Sequence, residues 1–324
     1  MQFKKNLVSV ALMGLFGIGS VYAATSVSAY YYDLADPFIA DVKKEIDAKA
    51  KDFDITIKSF NASDDATAQI NQLESASDDK VMLVNLVDRS YGDEVVNSAK
   101  AQNKRVIFFN RAPSRSDVGS YANAFFVGEN AEEAGKLQGE MILDYIKKNA
   151  FDHNNNGKLD LVILKGEISH QETELRTQTV ISTLNAQDVS FNRTTTLIAD
   201  WSYDKAYKLM ENYLNKEGLD KVEMVISNND AMALGALNAM EAFGYDYKTY
   251  IPVFGIDAIP DAVESIKAGK MSGTVYNDAK TLSEVLLKLS REKEVLPAKL
   301  TEKLGYTVNS DGFVMIPYQK FSLK

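Results

Sequence analysis

Polar and aromatic side chains follow the apolar segments of this sequence, and their types suit a ligand that carries many hydroxyl groups. The candidates are Asp36, Phe38, Asn110, His170, Trp201, Asn229 and Asp257. A sugar hydroxyl both donates and accepts, so carboxylate, amide and imidazole groups match it. Aromatic rings pack against the C–H faces of a pyranose. A single Asp or Asn in such a position is more often a helix cap or turn residue, so the hypothesis rests on the whole set.

A second candidate site is the segment 152–160, whose oxygen-bearing residues have the spacing of an EF-hand calcium loop. The candidate ligands, at positions 1, 3, 5, 7 and 9, are Asp152, Asn154, Asn156, Lys158 (through its carbonyl) and Asp160. Gly157 at position 6 allows the sharp turn. Position 12, usually a bidentate Glu, is Ile163, so a distant residue must complete the coordination. The alternative is an ordinary turn rich in Asn and Gly.

Alternating strand and helix patterns must position these residues. Nearly continuous apolar runs, typical of parallel strands buried on both faces, cover 26–32, 55–60, 81–86, 106–109, 159–165, 222–227 and 253–256. Amphipathic helical patterns cover 39–50, 66–76, 94–102, 131–147, 172–184, 204–214, 230–243 and 259–268. This alternation predicts an α/β doubly wound fold. Ligands of such sheets bind beyond the carboxyl ends of the strands, which is where the candidates lie.

The pattern restarts after the polar segment 152–160, which predicts a second α/β lobe beginning near Asn130. The run Tyr30-Tyr31-Tyr32 is interpreted as strand core and edge rather than as a platform for a sugar. Neither a dinucleotide fingerprint nor a phosphate-binding P-loop motif is present, so the sequence gives no support to nucleotide binding.

The first residues predict a cleaved signal peptide, residues 1–23. Lys4 and Lys5 precede an apolar stretch over 7–18, and a small-x-small pattern at 21–23 predicts cleavage after Ala23. The stretch is too short to span the roughly 30 Å hydrocarbon core as a helix. The chain contains no cysteine, which excludes a lipoprotein anchor. The expected location is the periplasm.

Composition narrows the classes of function further. The absence of cysteine excludes thiol catalysis, disulfides and Cys-zinc sites, and only two histidines are present. The net charge of −9 comes without a basic stripe, so nucleic acid is not an expected partner. The length of 324 residues favours two domains, each with its own core.

Five segments in matching order resemble the periplasmic glucose/galactose-binding protein family. They are residues 108–115 (FFNRAPSR), 165–170 (KGEISH), 227–233 (SNNDAMA), 252–258 (PVFGIDA) and 273–279 (GTVYNDA). The resemblance implies a type I periplasmic binding protein fold, in which two doubly wound parallel-sheet lobes, joined by three hinge strands, close around a sugar. The implied N-terminal lobe is 24–129 plus 279–314, and the C-terminal lobe is 130–278 plus 315–324.

The same resemblance implies a set of sugar contacts. They are Asp36, Phe38, Asn110, His170, Glu172, Arg176, Trp201, Asn229, Asp257 and Asn277. Two departures bear on the choice of sugar: an insertion around Leu34 and Ala35 precedes Asp36, and Glu172 stands where the family has Asp. The resemblance also points to Glu223 as the residue that completes a structural calcium site.

The implied function is capture of D-glucose or D-galactose, without catalysis, for an ABC permease. The implied protein is a monomer. The resemblance leaves open whether a chemoreceptor is a second partner. The nearest alternative is a related binding protein for ribose or another small sugar. A glycoside hydrolase would use two carboxylates from among Asp36, Glu172 and Asp257. A sugar-responsive repressor would need an N-terminal helix-turn-helix where the signal peptide lies.

Overall fold

The computed structural model describes residues 24–75, 79–149, 152–168 and 170–321. The predicted signal peptide lies outside these ranges, so cleavage after Ala23 stays a prediction. No helix within the described ranges is long and apolar enough to cross a membrane.

The first lobe contains a six-stranded parallel sheet in the spatial order β11-β5-β4-β3-β1-β2. Its strands are β1 (Thr25–Tyr31), β2 (Ile55–Asn61), β3 (Val81–Val84), β4 (Arg105–Phe109), β5 (Ala124–Glu129) and β11 (Phe313–Ile316). Its helices are α1 (Pro37–Lys49), α2 (Ala66–Glu74), α3 (Gly92–Ala101), α4 (Arg115–Gly119), α10 (Ala279–Arg291) and α11 (Pro297–Leu304). Helices α1 and α10 pack together on one face of the sheet.

The second lobe repeats this architecture with a sheet in the order β12-β10-β9-β8-β6-β7. Its strands are β6 (Leu159–Lys165), β7 (Phe191–Ile198), β8 (Met224–Ser227), β9 (Val253–Asp257), β10 (Gly273–Tyr276) and the antiparallel β12 (Gln319–Lys320). Its helices are α5 (Ala131–Ile146), α6 (Gln171–Asn185), α7 (Tyr203–Glu217), α8 (Asp230–Ala242) and α9 (Pro260–Lys267). Short 3₁₀ turns occupy Ala50–Phe53, Arg89–Tyr91 and Leu219–Lys221.

Over the described part of the sequence, the chain passes between the two sheets three times. It leaves the first sheet after Glu129 and enters α5, which packs against the second sheet. It returns between Tyr276 and Ala279, and crosses again between Ile316 and Gln319. Three connecting segments of this kind are the arrangement that the sequence predicts for two hinged lobes.

The buried parallel strands determine which edge of each sheet faces the other lobe. Strands β4 and β6 are buried along almost their whole length, as expected for parallel strands covered by helices on both faces. Because neighbouring strands run in the same direction, their carboxyl ends meet at one edge of each sheet. Residues from these two edges line a common cavity, so the lobes face each other across a cleft.

Candidate functional site

A cavity of about 310 Å³ lies between the lobes. Its lining residues are Tyr32, Asp36, Phe38, Asn110, Arg111, His170, Glu172, Arg176, Trp201, Asn229 and Asp257. The cavity therefore brings together every predicted sugar contact except Asn277.

Three lining residues, each at or just beyond the end of a strand, adopt backbone conformations with positive φ. The φ angles are 59° for Asn110, 64° for Trp201 and 121° for Asp257. Such conformations are uncommon for residues with a side chain, and they concentrate at functional sites. Here they turn the chain sharply at the sheet edge, where the cavity lies.

Asp36 serves as a helix cap and as a lining residue at once. Its Oδ1 accepts from the backbone N–H of Phe38 at 2.9 Å, which caps α1, and its Oδ2 accepts from the hydroxyl of Tyr32 at 2.6 Å. Burial raises the pKa of Asp36 above its usual value. Since Oδ1 is committed to the backbone, Oδ2 is the atom that retains capacity for a ligand hydroxyl.

Asn110 is oriented by a buried asparagine that the sequence analysis did not identify. The Nδ2 of Asn85 donates to the carbonyl of Phe109 at 3.3 Å and to Oδ1 of Asn110 at 3.2 Å. The backbone carbonyl of Asn85 accepts from Gln69 at 2.9 Å. Because its amide oxygen is occupied, Asn110 offers its NH₂ group to a ligand as a donor.

Arg176 is the central cation of the second lobe's side of the cavity. Its Nη1 donates to the carbonyl of Asn228 and its Nη2 to the hydroxyl of Tyr318, both at 2.8 Å, while Oε2 of Glu172 lies 2.9 Å away. Burial alone would lower the pKa of Arg176, but Tyr318, Glu172 and Asp257 hold it above its usual value. A fixed guanidinium of this kind is a permanent donor toward sugar oxygens.

His170 is a neutral imidazole, and neither ring nitrogen has a hydrogen-bond partner among the described residues. Burial, followed by the guanidinium groups of Arg111, Arg89 and Arg176, lowers the pKa of His170 to about 2. One nitrogen therefore donates and the other accepts, as a hydroxyl group requires.

Trp201 forms one wall of the cavity. Its indole meets the imidazole of His170 edge to face, with ring centroids 5.4 Å apart. Asn229 donates from Nδ2 to the carbonyl of Trp201 at 3.1 Å, and its Oδ1 accepts from the N–H of Met232, which caps α8. Asn229 therefore caps α8 and lines the cavity at the same time.

Asp257 is the acceptor at the end of β9. Burial raises its pKa to about 7, although Arg176 opposes this shift. Asn277 does not line this cavity; it borders a neighbouring cavity with Phe38 and Asp257, and its Nδ2 donates to Oδ1 of Asp257 at 3.1 Å. Buried Asp230 accepts from Thr274 at 2.7 Å and from the N–H of Ile259 at 3.1 Å, so it fixes the turn that presents Asp257.

Two lining residues were missed by the sequence analysis. Tyr30 and Tyr31 are strand core, as predicted, but Tyr32 follows the end of β1 and reaches the cavity. Arg111 follows Asn110 directly, and its guanidinium lies 3.5 Å from the centroid of the Tyr32 ring. The available signal was the strand-end position, which both share with the residues that were identified.

The predicted calcium ligands gather around one loop. Asn154 and Asn156 donate from their amide groups to Oδ2 of Asp160 at 2.8 and 3.1 Å, and Asp152 accepts from the N–H of Asn156 at 2.9 Å. Glu223, from the segment before β8, accepts at Oε1 from the N–H groups of residues 153 and 154 and at Oε2 from that of Asp160. Glu223, although distant in sequence, therefore contacts the loop directly.

The donor set of this loop has the chemistry that Ca²⁺ prefers, because it consists of carboxylate, amide and backbone oxygens. Gly157 adopts a φ of 79° at the turn, as its position in the pattern requires. No group of three or more His, Cys, Asp or Glu side chains within the described ranges is arranged to hold a metal ion.

Comparisons with known proteins show the family of the chain. A family model described as a periplasmic binding protein domain matches residues 28–293. The D-galactose/methyl-galactoside binding periplasmic protein of Haemophilus influenzae is 35% identical over 298 residues, 89% of this chain and 88% of that protein. The ribose import binding protein of Bacillus subtilis is 28% identical over 83% of this chain and 81% of its own length.

Solved structures share the fold over nearly the whole chain. An ABC transporter solute binding protein from Bacillus halodurans, with bound myo-inositol, has a TM-score of 0.73 at 26% identity and covers 94% of this chain and 96% of its own. The Caulobacter myo-inositol binding protein has a TM-score of 0.71 at 22% identity and covers 95% of each chain. The predicted two-lobed α/β fold class is confirmed.

Proposed function

The chain belongs to the periplasmic binding protein family, and on this premise we propose that it captures D-galactose or D-glucose between its lobes for uptake through an ABC permease. The family predicted from the five sequence motifs is confirmed by the matching family model and by the 35% identical relative. The sugar itself is our proposal, since similar proteins bear names that specify galactose, ribose or myo-inositol.

The balance of donors and acceptors in the cavity is the observation that supports a sugar. Acceptors are supplied by Asp36, Glu172 and Asp257, and donors by Asn110 and Arg176. Neutral His170 supplies one group of each kind. A ligand with a ring of hydroxyls can add to both sets, whereas an apolar ligand would leave the two ring nitrogens of His170 unpaired, at a cost of about 1–3 kcal/mol for each buried group.

Calorimetric titration of the purified protein with D-galactose, D-glucose, D-ribose and myo-inositol tests this proposal. We expect a hexose to bind most tightly. Asp257→Ala should lose about 1.5–3 kcal/mol, the value of a hydrogen bond to a charged group, and Asn110→Ala about 1–3 kcal/mol, the cost of leaving a buried partner unpaired. Asp246→Ala, on an exposed loop, is the control. Tighter binding of ribose or myo-inositol would identify that compound, and not a hexose, as the ligand. If none of the four compounds binds, the proposed function is wrong.

We further propose that the protein binds without catalysis, is exported to the periplasm and acts as a monomer. Membership in a family of binding proteins supports the first statement. Incubation with chromogenic galactosides and glucosides checks it, because a glycoside hydrolase with Asp257 and Glu172 as its carboxylates would release the chromophore. N-terminal sequencing of the secreted protein checks cleavage after Ala23.

We also propose a structural Ca²⁺ in the loop 152–160. The ligands would be side-chain oxygens of Asp152, Asn154, Asn156, Asp160 and Glu223, with the carbonyl of Lys158. The ion would hold this loop against the segment that carries Glu223. It would not enter the sugar cavity, because none of these residues lines it.

A further inference from the structure

Two arginines of the first lobe reach across the cleft to the second lobe. Arg111 pairs with Glu167 through two contacts, Nη2 to Oε1 at 2.6 Å and Nη1 to Oε2 at 3.3 Å. Arg89 donates from Nη2 to Oε1 of Gln171 at 2.7 Å. We refer to Arg89, Arg111, Glu167 and Gln171 as the inter-lobe clasp.

Both arginines are held in place by their own lobe. Arg111 donates to the carbonyl of Val87 at 3.0 Å and stacks on the ring of Tyr32, and Arg89 donates from Nε to the carbonyl of Ala112. The side chain of Arg111 is only 3% exposed, whereas that of Glu167 is 29% exposed. A preorganised guanidinium loses little side-chain entropy when it binds a carboxylate bidentately, so the contact favours docking of the second lobe.

The clasp is connected to the cavity from both lobes. On the first lobe, Tyr32 lies under Arg111 and donates its hydroxyl to Asp36, a lining carboxylate. On the second lobe, Gln171 directly follows His170, another lining residue. Glu167 itself does not line the cavity. The groups that join the lobes are thus packed against groups positioned to meet the ligand.

We propose that the inter-lobe clasp stabilises the closed arrangement of the lobes and thereby sets the affinity and residence time of the sugar, with Glu167 as a positioning residue. This inference rests on the proposed function. Contacts between different lobes exist only while the cleft is closed, so losing them lowers the closed fraction. The apparent dissociation constant rises in inverse proportion to that fraction.

The first test compares Glu167→Gln with Glu174→Gln. Both remove a carboxylate from the second lobe, but Glu174 pairs with Lys165 of its own lobe. We expect Glu167→Gln to weaken galactose binding about tenfold, mainly through faster dissociation, and Glu174→Gln to leave binding unchanged. Melting curves of both variants separate this effect from a loss of folding. Wild-type affinity in folded Glu167→Gln would overturn the proposal.

A double-mutant cycle isolates the pair itself. Arg111→Gln also alters the cavity, so its own effect on binding is expected to exceed that of Glu167→Gln. The double variant should bind as Arg111→Gln does, because Arg111 is the partner of Glu167 across the cleft among the residues that the structure describes. Additive effects of the two substitutions would mean that Glu167 acts by another route and would contradict the clasp.

A sugar-free measurement keeps this inference separate from the proposed function. The chain has no cysteine, so Lys100→Cys and Lys216→Cys introduce one unique label on each lobe. Distances between spin labels without sugar should show a closed population that Glu167→Gln reduces and Glu174→Gln retains. Identical distance distributions in all three proteins would reject the clasp. If the wild type binds no sugar of the panel, the proposed function is wrong. The spin-label distances would still show whether the inter-lobe clasp stabilises the closed arrangement.

Discussion

Gly166 lies directly against the indole of Trp201. A Cβ added at position 166 would stand 2.3 Å from Cε2 and Cζ2 of that ring, far inside van der Waals contact. Gly166 is the second residue of the KGEISH segment. Because it has no side chain, it leaves room for the indole that forms the wall of the cavity. Its neighbour Lys165 ends strand β6, so the backbone cannot easily retreat.

We predict that Gly166→Ala displaces the indole and weakens sugar binding about tenfold or more, since overpacking of this kind costs roughly 1–3 kcal/mol. Gly119→Ala is the matched control, because a Cβ there would lie 3.9 Å from its nearest neighbour, Asp311. Calorimetry of both variants measures the effect. Equal affinities would show that the position of Trp201 is not critical.

Asn85→Asp tests how Asn110 is oriented. A carboxylate at position 85 has no N–H to donate to Asn110 or to the carbonyl of Phe109, so the Asn110 amide loses its fixed orientation. We expect sugar binding to weaken about tenfold and the free energy of unfolding to fall by about 1–3 kcal/mol. Asn71→Asp, on an exposed position of α2, controls for the added charge. Unchanged sugar affinity in Asn85→Asp would contradict the role.

Glu129 gives the sugar-free protein a pH-dependent stability. Neither carboxylate oxygen has a hydrogen-bond partner among the described residues, and burial, with Glu172 adding to it, raises the pKa to about 8 from the usual 4.5. The folded state therefore binds more protons than the unfolded state between these values. Stability contributed by protonated Glu129 is present below about pH 4.5 and is lost as the pH rises through about 8.

Glu129→Gln should remove this loss. We expect the variant to exceed the wild type by about 2 kcal/mol in free energy of unfolding at pH 9, and to differ little at pH 4. Denaturant unfolding at several pH values measures the difference, with exposed Glu132→Gln as the control. A wild-type pH profile in Glu129→Gln would mean that water or another partner stabilises the charged carboxylate.

The sequence predicted the architecture because its signals are local. Buried parallel strands such as β4 and β6 are nearly all apolar, and strand-end residues such as Asn110 and Asp257 must lie at the edge where the lobes meet. The same rule predicts most of the cavity wall from the sequence alone.

What the sequence did not reveal depends on tertiary contacts. The strand period does not say where β1 ends, and Tyr32 lies in the cavity because the strand stops at Tyr31. The role of Asn85 requires knowledge that β3 lies beside β4. Asn277 donates to Asp257 without lining the same cavity, a difference that no spacing pattern encodes.

Chelation tests the proposed calcium site. Removal of Ca²⁺ from protein shown to contain it should lower the melting temperature, because an ion held only by the folded state stabilises that state by mass action. Glu223→Gln should abolish this response, whereas Glu217→Gln on the exposed end of α7 should retain it. Unchanged melting after removal of bound metal would eliminate a structural role.

Trp201 is the single tryptophan of the chain, so its fluorescence reports on one place in the molecule. Its indole lines the cavity with only 7% of its surface exposed, next to His170. Closure of hinged lobes around a sugar is expected to change the environment of this ring. Intrinsic emission should therefore shift in intensity or wavelength and saturate with added sugar.

Trp201→Ala should weaken binding by roughly 1–3 kcal/mol, because the sugar loses the apolar face on which its C–H groups pack. The contacts of Asp257 are made by a different strand, so the variant should retain the wild-type order of preference among hexoses. Trp201→Phe, which keeps an aromatic face, is the matched control and should recover much of the lost affinity. A contradicting outcome would be sugar binding in calorimetry with constant Trp201 emission and normal binding by Trp201→Ala. The ligand would then lie elsewhere, and the cavity residues assigned in the second lobe from Asp200 onward would be wrong.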